Sequence, residues 1–154
     1  KASVDGAHIR YYNAETDAYD LTESPKYADA GTYTVKFQAA LDNYNTAEGA
    51  ATVTINPRAV TLTSADAAKP YDGTPLVAED VIVSGGFVTG EGAAYSDFAS
   101  LTDAGTTSNT FDYRLNEGTK ASNYKVRKIP GTLEVEKAPL AAWLAMSSSR
   151  PVVD

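Results

Sequence analysis

"DAGTYTVKF" (Asp29–Phe37) and, seventy-four residues further on, "DAGTTSNTFDY" (Asp103–Tyr113) share the phrase Asp-Ala-Gly-Thr. Each phrase opens a run that alternates polar and apolar residues. In the first run Tyr33, Val35, Phe37, Ala39 and Leu41 alternate with Thr32, Thr34, Lys36 and Gln38. That period of two is the mark of a strand with one buried and one solvated face. In the second run Phe111, Tyr113 and Leu115 alternate with Thr110, Asp112 and Arg114. An Asp two residues before a Gly suits a tight turn, since Asp bonds nearby backbone and Gly accepts φ > 0. The repeated phrase therefore reads as a strand-entry turn used once per module.

Outward from this phrase, further markers recur in the same order. Asn43-Tyr44 corresponds to Asn123-Tyr124, a turn former beside an aromatic expected to anchor its loop in the core. "GAATVTI" (Gly49–Ile55) corresponds to "GTLEV" (Gly131–Val135), and both read as closing strands, with Ala51, Val53 and Ile55 or Leu133 and Val135 facing inward. "NPRAV" (Asn56–Val60) corresponds to "EKAPL" (Glu136–Leu140) and reads as a join to a following unit. Order kept across variable spacers is the pattern of retained strands and divergent loops.

The second copy carries more elements. "AVTLT" (Ala59–Thr63) reads as its opening strand, "YDGTPL" (Tyr71–Leu76) supplies Asp-Gly turn chemistry, and "EDVIVSGG" (Glu79–Gly86) reads as a strand ended by glycines. "ADAAK" (Ala65–Lys69) has room for one helical turn before Pro70. The first copy starts at "VDGAHIRYYN" with no counterpart of "AVTLTSADAAKPYDGTPL", so it is expected to lack its opening strand and to leave a sheet edge or core face open. The expected organisation is a first β module over 1–57, a complete second module over 58–137, and a remainder over 138–154 that is either the start of a next unit or a tail outside the pattern. In that remainder Leu140, Trp143 and Leu144 stand at helical spacing.

Bulk properties narrow the partners. Thirteen Lys and Arg against twenty Asp and Glu give a net charge of −7, which repels phosphate backbones and argues against nucleic acid. No run approaches the ~20 apolar residues of a membrane span, so membrane insertion is not expected. The absence of cysteine removes disulfides, thiol catalysis and thiolate metal sites together. The opening "KASVDG" has neither an initiator methionine nor the plan of a signal peptide, as in a piece of something longer.

At this level "VTLTSADAAKPYDGTPLVAEDVIVSGGFVTGEGAAYSDF" with "TDAGTTSNTFDYRLNEGTKASNYKV" and "GTLEVEK" resembles the mostly beta-grasp (MBG) repeats of bacterial surface proteins. "YYNAETDAYDLTESPKYADAGTYTVKFQAALDNYNTAEGAATVTI" is similar to the related repeat of the same proteins. The resemblance spans about residues 4–140 and rests on Tyr-Asp-Gly-Thr, Asp-Ala-Gly-Thr, Asn-Tyr and Gly-Thr-Leu-x-Val in that order. It implies two tandem β-grasp-like modules with at most one or two helical turns. It also implies an extracellular setting on a bacterial cell wall or S-layer, inside a large surface or secreted protein whose neighbouring repeats are the partners. Such modules serve as structural stalk or adhesin repeats that project a distal region, without cofactor.

Candidate chemistry is sparse. His8 is the single histidine, so a catalytic triad or histidine-rich metal site has nothing to build on. "GGFVTGEGA" (Gly85–Ala93) lacks the lysine and order of a phosphate loop. The local carboxylate pairs are Glu15 and Asp17, Glu79 and Asp80, and Glu134 and Glu136, and a glycosidase needs two carboxyls ~5–10 Å apart across a cleft. "ETDAYD" (Glu15–Asp20) gathers three carboxylates but lacks the central Gly and terminal Glu of a calcium loop. Lys36 and Asn56 have the residue types for an intramolecular amide cross-link, but Lys36 falls on the polar face, whereas that chemistry needs burial. The reading is therefore non-enzymatic, with no catalytic, metal or cofactor residues assigned and no ligand named. The alternative is an adhesion module that itself binds glycan or a host surface protein. Its contact residues would come from Tyr11, Tyr12, Tyr19 and Tyr27, of which Tyr11 and Tyr12 must face opposite ways.

Overall fold

The structure, a computed structural model, describes residues 6–140. The sequence expectations for 141–154 lie outside the described residues. The fold is mostly β, in several small antiparallel and mixed sheets, with a single 3-10 turn at Ala121–Asn123 among the described residues. The chain divides at Pro57 into two compact units, Ser122–Tyr124 clustering with the first.

The first unit is one four-stranded sheet. Its strands are β1 (His8–Asn13), β2 (Ala18–Leu21), β3 (Gly31–Ala40) and β4 (Ala47–Ile55), in the order β2-β1-β3-β4 and antiparallel throughout. The β1–β2 turn closes on Asp17, which adopts φ 54°, and on the Asn13 side chain, which accepts the Glu15 N–H at 3.0 Å. Short polar side chains tolerate the left-handed region because they bond their own backbone. Asn43 does the same between β3 and β4 at φ 69°.

Along β3 the alternation holds: Tyr33 and Phe37 are half-buried and Val35 is buried, while Thr32, Thr34 and Lys36 are exposed. Val35 is the one buried hydrophobic side chain among the described residues 6–57. Directly opposed residues share a face, so the pairs Tyr11↔Phe37, Ile9↔Ala39, Tyr33↔Val53 and Tyr11↔Leu21 gather the apolar side chains on one side of the sheet. That side is only partly covered: Ile9 and Val53 are each 39% exposed.

Two expectations fail here. Of Ala51, Val53 and Ile55, only Ile55 is partly buried: β4 ends the sheet, and the Phe37 ring covers the neighbouring Gly49 but leaves Ala51 and Val53 exposed. Tyr44 does not anchor its loop, being 73% exposed, whereas Tyr124 is buried. The β3–β4 turn is closed by a backbone bond from Tyr44 N–H to the Leu41 carbonyl, which leaves the ring no role in it.

The second unit contains β5 (Arg58–Ser64), β6 (Ala67–Pro70), β7 (Val81–Ser84), β8 (Ala93–Ser96), β9 (Gly105–Asn109), β10 (Asp112–Leu115), β11 (Tyr124–Ile129) and β12 (Gly131–Glu136). They form two three-stranded sheets, β11-β5-β7 and β6-β12-β9, and the ribbon β10-β8. β12 runs antiparallel to β9 and parallel to β6. The core consists of Val60 and Leu62 from β5, Leu133 and Val135 from β12, and Phe111. Each fully buried side chain of this size contributes roughly 1.5–3 kcal/mol.

Ala65–Lys69 forms no helical turn. Its second half is β6, since the open edge of β12 offers backbone partners that an isolated turn cannot match. Nor is 110–115 one strand. Its last four residues are the strand β10, while Thr110 and Phe111 separate β10 from β9, with the Thr110 N–H bonded back to the Ser108 carbonyl. β10 pairs with β8 instead of β12. Inward alternation survives the break through Asn109, Phe111, Tyr113 and Leu115.

Both Asp-Ala-Gly-Thr phrases serve as strand entries: Gly31 begins β3 and Gly105 begins β9. The backbones differ, since Gly105 has φ 153° while Gly31 is not in the positive-φ region.

Candidate functional site

Tyr12 and Tyr27 of the first unit line an open concavity of about 400 Å³, with Tyr19 packed on the first and Tyr33 on the second. β1 pairs with β3 as far as Tyr11↔Phe37, and its register then shifts between Tyr11 and Asn13. The hollow lies where Thr34–Lys36 runs beside the Tyr12–Glu15 turn and the Pro25–Tyr27 segment. Tyr11 and Tyr12 face opposite ways, as strand geometry requires: Tyr11 opposes Phe37, and Tyr12 lies under the Lys36 ammonium, 5.2 Å from its ring centre.

These rings are engaged with their surroundings. Tyr12 donates its hydroxyl to the Asp17 carboxylate and meets Tyr19 edge-on at 5.6 Å. Tyr27 stacks on Tyr33 at 3.9 Å, and the Tyr33 hydroxyl donates to the Asp29 carbonyl at 2.8 Å. The bond to Asp17 raises the Tyr12 hydroxyl above the usual phenol value, since losing its proton would leave two anions in contact. Desolvation, and then the nearby Glu48 carboxylate, raise Tyr19 in the same direction. Chemically the hollow offers aromatic walls at Tyr12 and Tyr27, an apolar floor at Val35, the Lys36 cation and the Glu15 carboxylate.

The "ETDAYD" carboxylates do not converge. Asp17 serves Tyr12, and Asp20 accepts the Thr16 hydroxyl at 2.7 Å, which lowers its pKa. Among the described residues no group of three or more His, Asp and Glu side chains is placed to hold a metal ion. His8 is exposed on β1, and Glu134 and Glu136 are exposed on β12. Lys36 is exposed beside Tyr12, on the polar side of its strand.

In the second unit, polar chemistry is directed into the fold. Lys69 donates to the Asp72 carboxylate at 2.7 Å and to the carbonyl and hydroxyl of Thr74 at 2.7 and 2.6 Å. Asp72 also accepts the Thr74 N–H at 2.9 Å, so Tyr-Asp-Gly-Thr is a turn locked by the lysine at the end of β6. The Lys69 ammonium, with help from the Thr74 N–H and hydroxyl, holds the Asp72 carboxyl far below the usual carboxylate range. The Arg58 guanidinium grips the carbonyls of Gly85 and Gly86 at 2.8 and 2.7 Å, which fixes the glycine-rich loop after β7.

The fully buried Asn109 escaped the sequence reading. Its amide nitrogen donates to the Ala65 and Ala78 carbonyls, both at 2.9 Å, and its own backbone carbonyl accepts the Ser64 hydroxyl. The one available signal was an Asn standing in the apolar phase of "TSNTFDY". No family model, no curated protein and no solved structure matches the chain.

Proposed function

We propose that this chain is a non-enzymatic spacer. In this reading its units are two tandem β-grasp-like modules of the MBG type, belonging to a large bacterial surface or secreted protein and projecting a distal adhesive region. The observation that carries the reading is a shared register. The glycine of each Asp-Ala-Gly-Thr phrase sits opposite the last apolar residue of the closing strand: Gly31↔Ile55 in the first unit and Gly105↔Val135 in the second. Two residues on, Tyr33↔Val53 corresponds to Thr107↔Leu133. A repeated unit adds length without a new fold each time. The bracing by Asn109, Lys69 and Arg58 suits a module that has to hold its shape.

Mechanical extension of a polyprotein carrying the chain tests this. The second unit should give one discrete unfolding event that releases about 28 nm, from roughly 80 residues at ~3.5 Å each. Smooth extension without a force peak would overturn the reading.

The second reading, an adhesion module, is favoured by the aromatic hollow between Tyr12 and Tyr27. Flat apolar rings beside a polar cation suit the face of a sugar. Binding to a glycan array or to host surface protein that disappears in both Tyr12→Ala and Tyr27→Ala would establish it, and no binding to either would dismiss it.

A further inference from the structure

β4 and β12 are handled alike on one side and differently on the other. Each closes antiparallel onto the strand that begins at the Asp-Ala-Gly-Thr glycine. The outer edge of β12 carries β6 in parallel register, with Leu133↔Ala67, Glu134↔Ala68, Val135↔Lys69 and Glu136↔Pro70. The Tyr71 N–H extends that ladder to the Glu136 carbonyl at 2.8 Å. The outer edge of β4 pairs with no strand among the described residues.

Three features mark that edge as a docking surface. It is long and regular, with nine consecutive pairs to β3 and no bulge. It lacks the usual protection, since "AEGAATVTI" has Glu48 as its only charge and no proline. The apolar side beside it is unfinished, with Val53 39% exposed and Ala51 exposed. An added strand would complete both the ladder and the face.

We propose that the outer edge of β4 accepts an extended strand of the β6 kind, small residues with one lysine, running parallel to β4 opposite Val53–Asn56. This rests on the equivalence of the two closing strands set out above. Superposing their registers puts Val53 where Leu133 stands and Ile55 where Val135 stands, so Ala67 and Lys69 supply the template for the incoming residues.

Charge separates this occupant from a second copy of the chain. Residues 6–57 hold seven Asp and Glu against three Lys and Arg, so a lysine-bearing strand meets complementary charge where a second copy brings more of the same sign. Ala51 limits the occupant to a single strand. At the matching position Gly131 leaves room for the chain end of β5, and a Cβ there would lie 2.5 Å from the Ser64 carbonyl oxygen. The alanine at 51 leaves no space for such a crossing.

Because the chain has no cysteine, disulfide trapping gives a clean test. The full chain carrying Thr54→Cys is mixed with the end-capped peptide "AAKPY" (residues 67–71), whose only charge is Lys69, carrying Ala68→Cys, and with a shuffled peptide of equal composition. The ordered peptide should be captured roughly tenfold faster, because pairing raises the effective concentration of the thiol. In parallel, the unmodified chain with the unmodified peptide should show roughly tenfold slower amide exchange across Val53–Ile55. This second measurement decides the matter if the Thr54→Cys chain fails to fold. Equal capture of both peptides with unchanged exchange overturns the proposal. Predominant disulfide-linked dimers of the Thr54→Cys chain, with concentration-dependent protection of β4, overturn it in favour of a second copy. Either result leaves the spacer reading standing, since that depends on the second unit under force.

Discussion

The Ser64 hydroxyl donates to the backbone carbonyl of Asn109 in the core of the second unit. The same hydroxyl accepts the Gly131 N–H at 2.9 Å, so one small polar side chain joins the ends of β5 and β9 to the start of β12. Asn109 extends the junction to the carbonyls of Ala65 and Ala78. The amide oxygen of Asn109 is buried without a protein partner, so the amide is held by what it donates.

Asn109→Ala should therefore destabilise the second unit by about 2–4 kcal/mol, since it strands two buried carbonyls and opens a cavity. Ser64→Ala should cost less, about 1–2 kcal/mol, because it deletes one donor and one acceptor together with little volume. Urea titrations of the two variants followed by far-ultraviolet circular dichroism would read both, and a larger loss for Ser64→Ala would contradict the arrangement.

Gly73 and Gly85 share a backbone conformation, φ 79° and 80°, but not their surroundings. A Cβ on Gly73 meets nothing within 4 Å, whereas one on Gly85 would lie 2.3 Å from the Ala59 carbonyl oxygen. Gly73→Ala should cost about 1 kcal/mol of left-handed strain alone. Gly85→Ala should cost about 3 kcal/mol or more, as β5 and the loop after β7 must separate. Thermal melts of the pair distinguish the two cases.

Asp72 should make stability depend on acid. Its carboxyl titrates far lower in the folded state than its ordinary value of 3.8, because Lys69 and Thr74 bind the anion. Its contribution is fully present above that ordinary value, and falls progressively as the pH drops below it toward the folded value. Asp72→Asn should flatten this part of the melting-temperature profile between about pH 4 and pH 2. An unchanged slope would show that other carboxylates carry the dependence.

The two units should separate on denaturation. The first buries only Val35 among its described hydrophobic side chains up to residue 57, while the second buries Val60, Leu62, Phe111, Leu133 and Val135. Hydrogen exchange in urea should show β3 and β4 opening at lower denaturant than β5 and β12. Val35→Ala should cost roughly 2 kcal/mol and act on the first unit alone. A single transition for all four strands would refute this.

Local physics made much of the fold legible. The period of two in Thr32–Phe37 and in Thr132–Val135 specified strands with one inward face, because a strand's side chains must alternate whatever surrounds it. Asp-Gly at 72–73 specified a turn for a similarly local reason. The same periodicity located Tyr12 and Tyr11 on opposite faces, and so one wall of the aromatic hollow.

What alternation cannot convey is whether a face finds a cover. Val53 and Leu133 have the same local pattern, yet Val53 is 39% exposed and Leu133 is wholly buried, because in the second unit β6 pairs along the other edge of the closing strand and β5 adds Val60 and Leu62 to the buried core. Ala67–Pro70 became a strand through a parallel partner more than sixty residues away, and Asn109 became a core residue by meeting carbonyls from two distant loops. Contacts of that range depend on how the chain closes in space, and no window of neighbouring residues contains them.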